Sequence, residues 1–166
     1  MNIVLCGMMG SGKTTVAREI SETYNLVWVD TDEEIVKEYG EINDIFADRG
    51  EEGFRDIESS VTKKVAESYN NAVISLGGGC VLRQCNVQYL KQTGKIFYLR
   101  TSPEVVISRI KGDTTRPLLQ GDLEERVRTI SAARSAIYEG AADYIIDTDD
   151  KSPKCIAKII MEQMQA

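Results

Sequence analysis

The segment Gly7-Met8-Met9-Gly10-Ser11-Gly12-Lys13-Thr14, entered from the apolar run Ile3-Val4-Leu5-Cys6, constrains this chain more than any other. It has the form G-x-x-x-x-G-K-[ST], and a helical pattern starting at Thr14 follows it. The glycines let the backbone turn tightly, so that successive N–H groups point inward at a polyphosphate. Lys13 is placed to reach β- and γ-phosphates, and the Thr14 hydroxyl is placed to ligate Mg²⁺. The helix that follows offers the positive end of its dipole to the same phosphates. The motif names a nucleoside triphosphate as ligand and leaves the phosphoryl acceptor open.

At 166 residues the chain is one domain's worth, long enough to bury a core without disulfides or metals. A net charge of −6 argues against a nucleic-acid binder held by phosphate contacts. Any basic residue that matters must be placed singly, in a site. Cys6, Cys80, Cys85 and Cys155 have no C-x-x-C spacing, and the chain has no histidine to complete a zinc site. Reduced thiols in a cytoplasmic protein are the expectation. Met1 stands so close to the first strand that no signal peptide fits, and no apolar stretch is long enough to span a bilayer. Without histidine, proton transfer falls to a carboxylate, lysine, thiol or water.

Short apolar runs at Ile3–Cys6, Val27–Val29, Ala72–Leu76, Ile96–Leu99 and Tyr144–Ile146 read as buried strands. Helical patterns lie between and around them: Thr14–Tyr24, Asp32–Tyr39, Ile42–Ser68 (broken near Gly50–Gly53), Asn86–Lys91, Pro103–Ile110, Leu123–Tyr138 and Pro153–Met164. Ser102-Pro103 and Ser152-Pro153 carry the signature of helix starts, with Ser as N-cap and Pro at the first helical position. Alternating strands and helices predict a parallel sheet covered on both faces, hence one α/β domain over residues 1–166. In such sheets ligands bind beyond the carboxyl ends of the strands. The residues there are Gly7–Thr14, Asp30-Thr31-Asp32, Gly77-Gly78-Gly79 and Arg100-Thr101-Ser102.

Two carboxylates spaced as in Asp30-Thr31-Asp32 point the same way on an extended segment. One is suited to holding Mg²⁺ through water and the other to facing an acceptor hydroxyl. Thr31-x-x-Glu34 also reads as a capping box for the next helix, which requires neither aspartate. Arg55, in Phe54-Arg55-Asp56-Ile57-Glu58, reads taken alone as a solvated helix-surface partner of Glu51 and Glu58. Three glycines at 77–79 are best explained by a ligand or backbone that must approach closely. Arg116-Pro117-Leu118-Leu119 sits in a polar, glycine-flanked stretch suited to closing over a nucleotide and bringing Arg116 to the transferring phosphoryl. Arg109 has the planar head to stack on a base, and Arg134, four residues before Tyr138, that of a carboxylate clamp. Singly, each arginine reads as a surface residue.

Taken in order, GxxxxGKT, DTD, FRxxE, GGG, RPLL and RxxxY resemble the shikimate kinase family, from Gly7 to about Asp147. The resemblance implies a P-loop, nucleoside-monophosphate-kinase-like fold: a three-layer α/β/α domain with a five-stranded parallel sheet. It also implies a substrate-binding helical region at about 31–62 and a lid at about 111–123. Carried over by position, Gly10, Ser11, Gly12, Lys13, Thr14 and Thr15 hold the ATP phosphates. Thr14 ligates Mg²⁺, and Asp30 assists the metal through water. Asp32, Arg55, Arg134 and the glycines Gly77, Gly78 and Gly79 bind shikimate, the two arginines taking its carboxylate. Asp32 takes the ring hydroxyls, including the one phosphorylated. Arg116 contacts ATP from the lid, and Arg109 sits against adenine. The implied catalytic set is Lys13, Asp32 and Arg116, in a monomeric cytoplasmic kinase of aromatic amino-acid biosynthesis.

The chain departs from the family pattern at three places: Thr14 for the commoner serine, Cys80 for a small alanine, and no proline between Arg134 and Tyr138. Lys151-Ser152-Pro153 stands where the match fades at the adenine end. Two other readings stay open on the residues alone. One is a kinase for another polyhydroxy acid such as gluconate. The other is a nucleotide-dependent switch, which has no need of the second cluster of acids and arginines.

Overall fold

The computed structural model describes residues 1–112 and 120–166, with 120 and 121 described in backbone only. Among these, strands β1 (Asn2–Cys6), β2 (Val27–Asp30), β3 (Ala72–Ser75), β4 (Gly94–Arg100) and β5 (Tyr144–Asp147) form one sheet. All its pairings are parallel, in the order β2-β3-β1-β4-β5. The helices are α1 (Lys13–Tyr24), α2 (Thr31–Tyr39), α3 (Ile42–Ser68), α4 (Gln84–Thr93), α5 (Pro103–Lys111), α6 (Gln120–Ala141) and α7 (Pro153–Gln165). A single 3-10 turn at Cys80–Leu82, unsignalled by periodicity, follows the three glycines.

The central strands are buried on both faces, which is why they read as continuous apolar runs rather than alternating ones. Alternation survives in where the side chains go. Ile3, Leu5 and Phe97 pack with Val16 and Ile20 of α1 and Ile156 and Ile160 of α7. Val4, Cys6 and Ile96 point into the larger core on the opposite face, with Phe54 and Val61 of α3, Leu90 of α4 and Tyr138 of α6. The result is three layers, as the strand–helix alternation predicts. Strand β1 has β3 on one side and β4 on the other, so the crevice at its carboxyl end is the switch point where ligands bind in such sheets.

Local chemistry accounts for the helix ends. Ser102 and Ser152 cap α5 and α7 by accepting the N–H of Val105 and Cys155, with proline at the first turn of each. Helix α3 breaks where glycine allows it: Gly50 takes φ 69°, ψ −175° inside an otherwise helical run. Phe46 and Phe54 stack across that break with ring centroids 4.4 Å apart. One expectation is corrected at α2. Asp30, not Thr31, is its N-cap, and its Oδ1 accepts the N–H groups of Asp32 and Glu33 at 2.9 and 3.2 Å. The Thr31 hydroxyl turns inward instead, donating to Ser75 O and accepting the N–H of Gly77. A buried tie between β3 and α2 satisfies more backbone groups than a second cap would. All four cysteines are free thiols, and among the described residues no helix is long and apolar enough to cross a membrane.

Candidate active site

Met8 and Gly10 lie in the loop between β1 and α1, and two cavities flank that loop. The larger, about 650 Å³, runs along Gly10–Val16 and is closed on its far side by Arg109, Lys151 and Pro153. Gly12 caps α1 at φ 92°, a conformation that leaves the N-terminal N–H groups of the helix facing this cleft. Lys13 folds back so that its ammonium donates to the carbonyls of Gly7 and Met8, both at 2.8 Å. Burial of that ammonium pulls its pKa from 10.5 down to about 8, against the pull of Cys6, Asp32 and Asp30. Arg109 crosses from α5, and its Nη1 donates to Gly10 O at 3.0 Å. Lys151 and Pro153, where the motif match faded, line the same cleft.

The second cavity, about 220 Å³, lies on the other side of the loop, reached by Met8 and Met9. Asp32, Arg55, Glu58 and Arg134 converge on it from α2, α3 and α6. Arg55 is not the solvated surface residue its helix spacing suggests. Its side chain is 12 % exposed and pairs at 2.7 Å with Glu58, which is 2 % exposed. Burial pushes the Glu58 carboxyl up from its ordinary value, with the hydrogen bond from Arg55 opposing. Burial, then the neighbouring Asp30, likewise raises the Asp32 carboxyl, while Lys13 and Arg55 pull it down. Arg134 reaches the same pocket, with its Nη1 beside Gly78.

The three glycines have a definite steric cause. A Cβ at Gly77 would stand 2.6 Å from Asp32 Oδ1, and one at Gly79 would stand 2.6 Å from Arg55 Cζ. Neither position needs a left-handed backbone; what approaches closely is a functional side chain on each side. Gly78, between them, would meet only ordinary contacts with Met9 N and Arg134 Nη1. Its carbonyl accepts the Tyr138 hydroxyl at 2.6 Å. Tyr138, one turn beyond Arg134, therefore ties α6 to the glycine turn and sets Arg134 beside Gly78.

The structure brings together Asp32, Arg55, Gly77, Gly78, Gly79 and Arg134 around one side of the loop, with Gly10–Thr15, Lys13 among them, and Arg109 around the other. Asp30 caps α2 through Oδ1 and lies close enough to Lys13 for its charge to be felt. Arg116 and most of the stretch at 111–123 lie outside the described residues. Sequence reasoning missed the buried role of Glu58, the anchoring by Tyr138, and the apolar wall of Ile42, Phe46, Phe54 and Ile130. The wall draws on three helical segments, so no single periodicity marks it.

A phosphate-cradling loop with a nucleotide-sized cleft on one side and a small cationic acceptor pocket on the other defines a P-loop kinase acting on a small molecule. The model of the family described as shikimate kinase matches residues 9–165. The shikimate kinase of Caldicellulosiruptor saccharolyticus is 44 % identical over 162 residues, spanning 96 % of this chain and 93 % of that one. That of Thermodesulfovibrio yellowstonii is 42 % identical over 166 residues, spanning 99 % and 95 %. Among solved structures, the shikimate kinase from Acinetobacter baumannii in complex with shikimate has a TM-score of 0.88 at 36 % identity, covering 99 % of this chain and 92 % of that one. The one from Bacteroides thetaiotaomicron has a TM-score of 0.89 at 30 % identity, covering 100 % and 99 %. The chain belongs to the shikimate kinase family.

Proposed function

We propose that this protein transfers the γ-phosphoryl of MgATP to the 3-hydroxyl of shikimate, giving shikimate 3-phosphate and ADP. The observation that carries this reading is the position of Asp32. It lies in the acceptor pocket with Arg55 and within electrostatic reach of Lys13 on the phosphate loop. An acceptor whose carboxylate pairs with Arg55 and Arg134 presents its ring hydroxyls to Asp32, on the side facing the loop.

Little covalent work falls to a kinase; positioning and charge stabilisation dominate. ATP occupies the larger cleft with its phosphates over the N–H groups at Gly10–Thr15, and Arg109 and Pro153 flank the base. Lys13 exchanges the Gly7 and Met8 carbonyls for phosphate oxygens. Asp32 orients the acceptor hydroxyl and accepts its proton. The hard oxygen donors at Thr14 and Asp30 suit Mg²⁺. When bound, the ion neutralises charge on the β- and γ-phosphates. By family resemblance Arg116 in a lid at about 111–123 adds a cation, and residues 31–62 form the acceptor-binding region of a single monomeric, cytoplasmic domain.

A coupled assay of ADP release tests the reading. Turnover is expected to require both shikimate and Mg²⁺ and to be absent with gluconate. ADP release that shikimate does not stimulate would overturn the assignment.

A further inference from the structure

The strand-end segment Arg100-Thr101-Ser102 lines neither of the two cavities, yet its middle side chain lies beneath the phosphate loop. Thr101 is buried, and its hydroxyl stands 3.4 Å from the carbonyl oxygen of Ser11 and 2.6 Å from the hydroxyl of Thr148. Thr148, also buried, has its hydroxyl 3.3 Å from the carbonyl of Arg100. That carbonyl already accepts the backbone N–H of Thr148 at 3.0 Å.

Two hydroxyl protons thus face two carbonyl oxygens and each other's oxygens, and with the two hydroxyls bonded to each other only one arrangement gives both carbonyls a donor. If Thr101 donates to Thr148 and Thr148 to Arg100, the Arg100 carbonyl has two donors and the Ser11 carbonyl lacks that of Thr101. If Thr148 donates to Thr101 and Thr101 to Ser11, both carbonyls have a donor, that of Arg100 keeping the Thr148 N–H. An unmet acceptor in a buried residue costs its full desolvation penalty, so the second arrangement prevails.

The consequence falls on the next peptide. A trans peptide sets its C=O and N–H antiparallel. A Ser11 carbonyl drawn down toward Thr101 therefore sends the Gly12 N–H the opposite way, into the cleft that Gly12 lines at the start of α1. We propose that Thr101 is a positioning residue for phosphoryl transfer: from beneath the loop, its hydroxyl holds the Ser11–Gly12 peptide with its N–H facing the nucleotide phosphates. The inference rests on the nucleotide reading of that cleft.

Three variants test it, by calorimetric titration with ATP and by steady-state kinetics on the full chain. Thr101→Val is expected to weaken ATP binding, and to raise KM for ATP, by about tenfold, the worth of one lost hydrogen bond. KM for shikimate should stay unchanged. Thr101→Ser keeps the hydroxyl and should bind ATP as the unaltered protein does. Thr148→Val removes a hydroxyl from the same buried pair but leaves Thr101 donating to Ser11. It should lower the melting temperature comparably while ATP affinity stays close to the original. Thr101→Ala carries the same expectation as Thr101→Val should the valine variant not fold. Two results overturn the inference: ATP affinity untouched by loss of the Thr101 hydroxyl, or an equal loss in Thr148→Val. If the unaltered protein itself fails to bind ATP, the nucleotide reading falls, and this inference with it.

Discussion

The carboxylate of Asp32 lies among Asp30, Lys13 and Arg55, and burial holds its pKa above the ordinary 3.8. Between the ordinary value and the raised one, the folded chain holds a proton there that the unfolded chain has released. Its contribution to stability is therefore complete below the unfolded value and is lost as pH rises through the raised one. Above the raised value the ionised group weighs against folding, yet an ionised group is what a hydroxyl proton needs. Asp32→Asn is thus expected to lower kcat by about 10²–10⁴-fold, the usual worth of a positioned base, while raising the melting temperature. Lower activity together with lower stability would contradict that placement. Lys13 shows the opposite sign. Titrating near 8 against 10.5 unfolded, it is the group that the unfolded chain protonates more, so its contribution to stability climbs with pH across that window. Polyphosphate favours the charged amine, and binding at pH 8 should take up about half a proton per site. Calorimetry in two buffers of different ionisation enthalpy reads that uptake directly; identical heats in both would count against it.

At the scale of elements, the turn after β3 is where three parts of the fold are brought into register. Thr31 ties it to α2, Arg55 of α3 lies against Gly79, and Tyr138 of α6 holds the Gly78 carbonyl. The side chains that form the acceptor pocket are thus packed on one piece of backbone. Gly79→Ala puts a methyl where the Arg55 guanidinium lies and forces it off its seat beside Glu58. Losing a charge-assisted hydrogen-bonding partner is worth about 1.5–3 kcal/mol, so KM for shikimate should rise at least tenfold, with KM for ATP unaffected. A rise in both constants would mean that the turn supports the phosphate loop as well. Helix α3 adds a second device of this kind. The break at Gly50 lets Phe46 double back onto Phe54, and both then wall the acceptor pocket, with the Arg55 guanidinium over the Phe54 ring 5.3 Å from its centroid.

Across the whole molecule, the sheet order sets β1 between β3 and β4, so the loop leaving β1 separates the two cavities by construction. Much of this was legible beforehand. Buried parallel strands leave unbroken apolar runs, Ser-Pro pairs mark helix starts, and the phosphate loop has a local pattern because its function depends on consecutive backbone groups. For the same reason the sequence by itself determined the ligand class and the layer architecture, while Arg55 and Arg134, which singly read as surface residues, became candidates only through the order of motifs shared with the family. It did not show that Arg55 and Glu58 are buried together, since an i,i+3 pair on a helix looks the same facing water or core. Nor did it reveal that Asp30 rather than Thr31 caps α2, which turned on a hydrogen bond from Thr31 to a strand 44 residues away. The glycines announced a close approach without naming what approaches, because Asp32 and Arg55 reach them from distant segments. Burial, proton order in the Thr101–Thr148 pair and the shape of the acceptor pocket depend on contacts between remote residues. Those contacts exist only once the chain has folded.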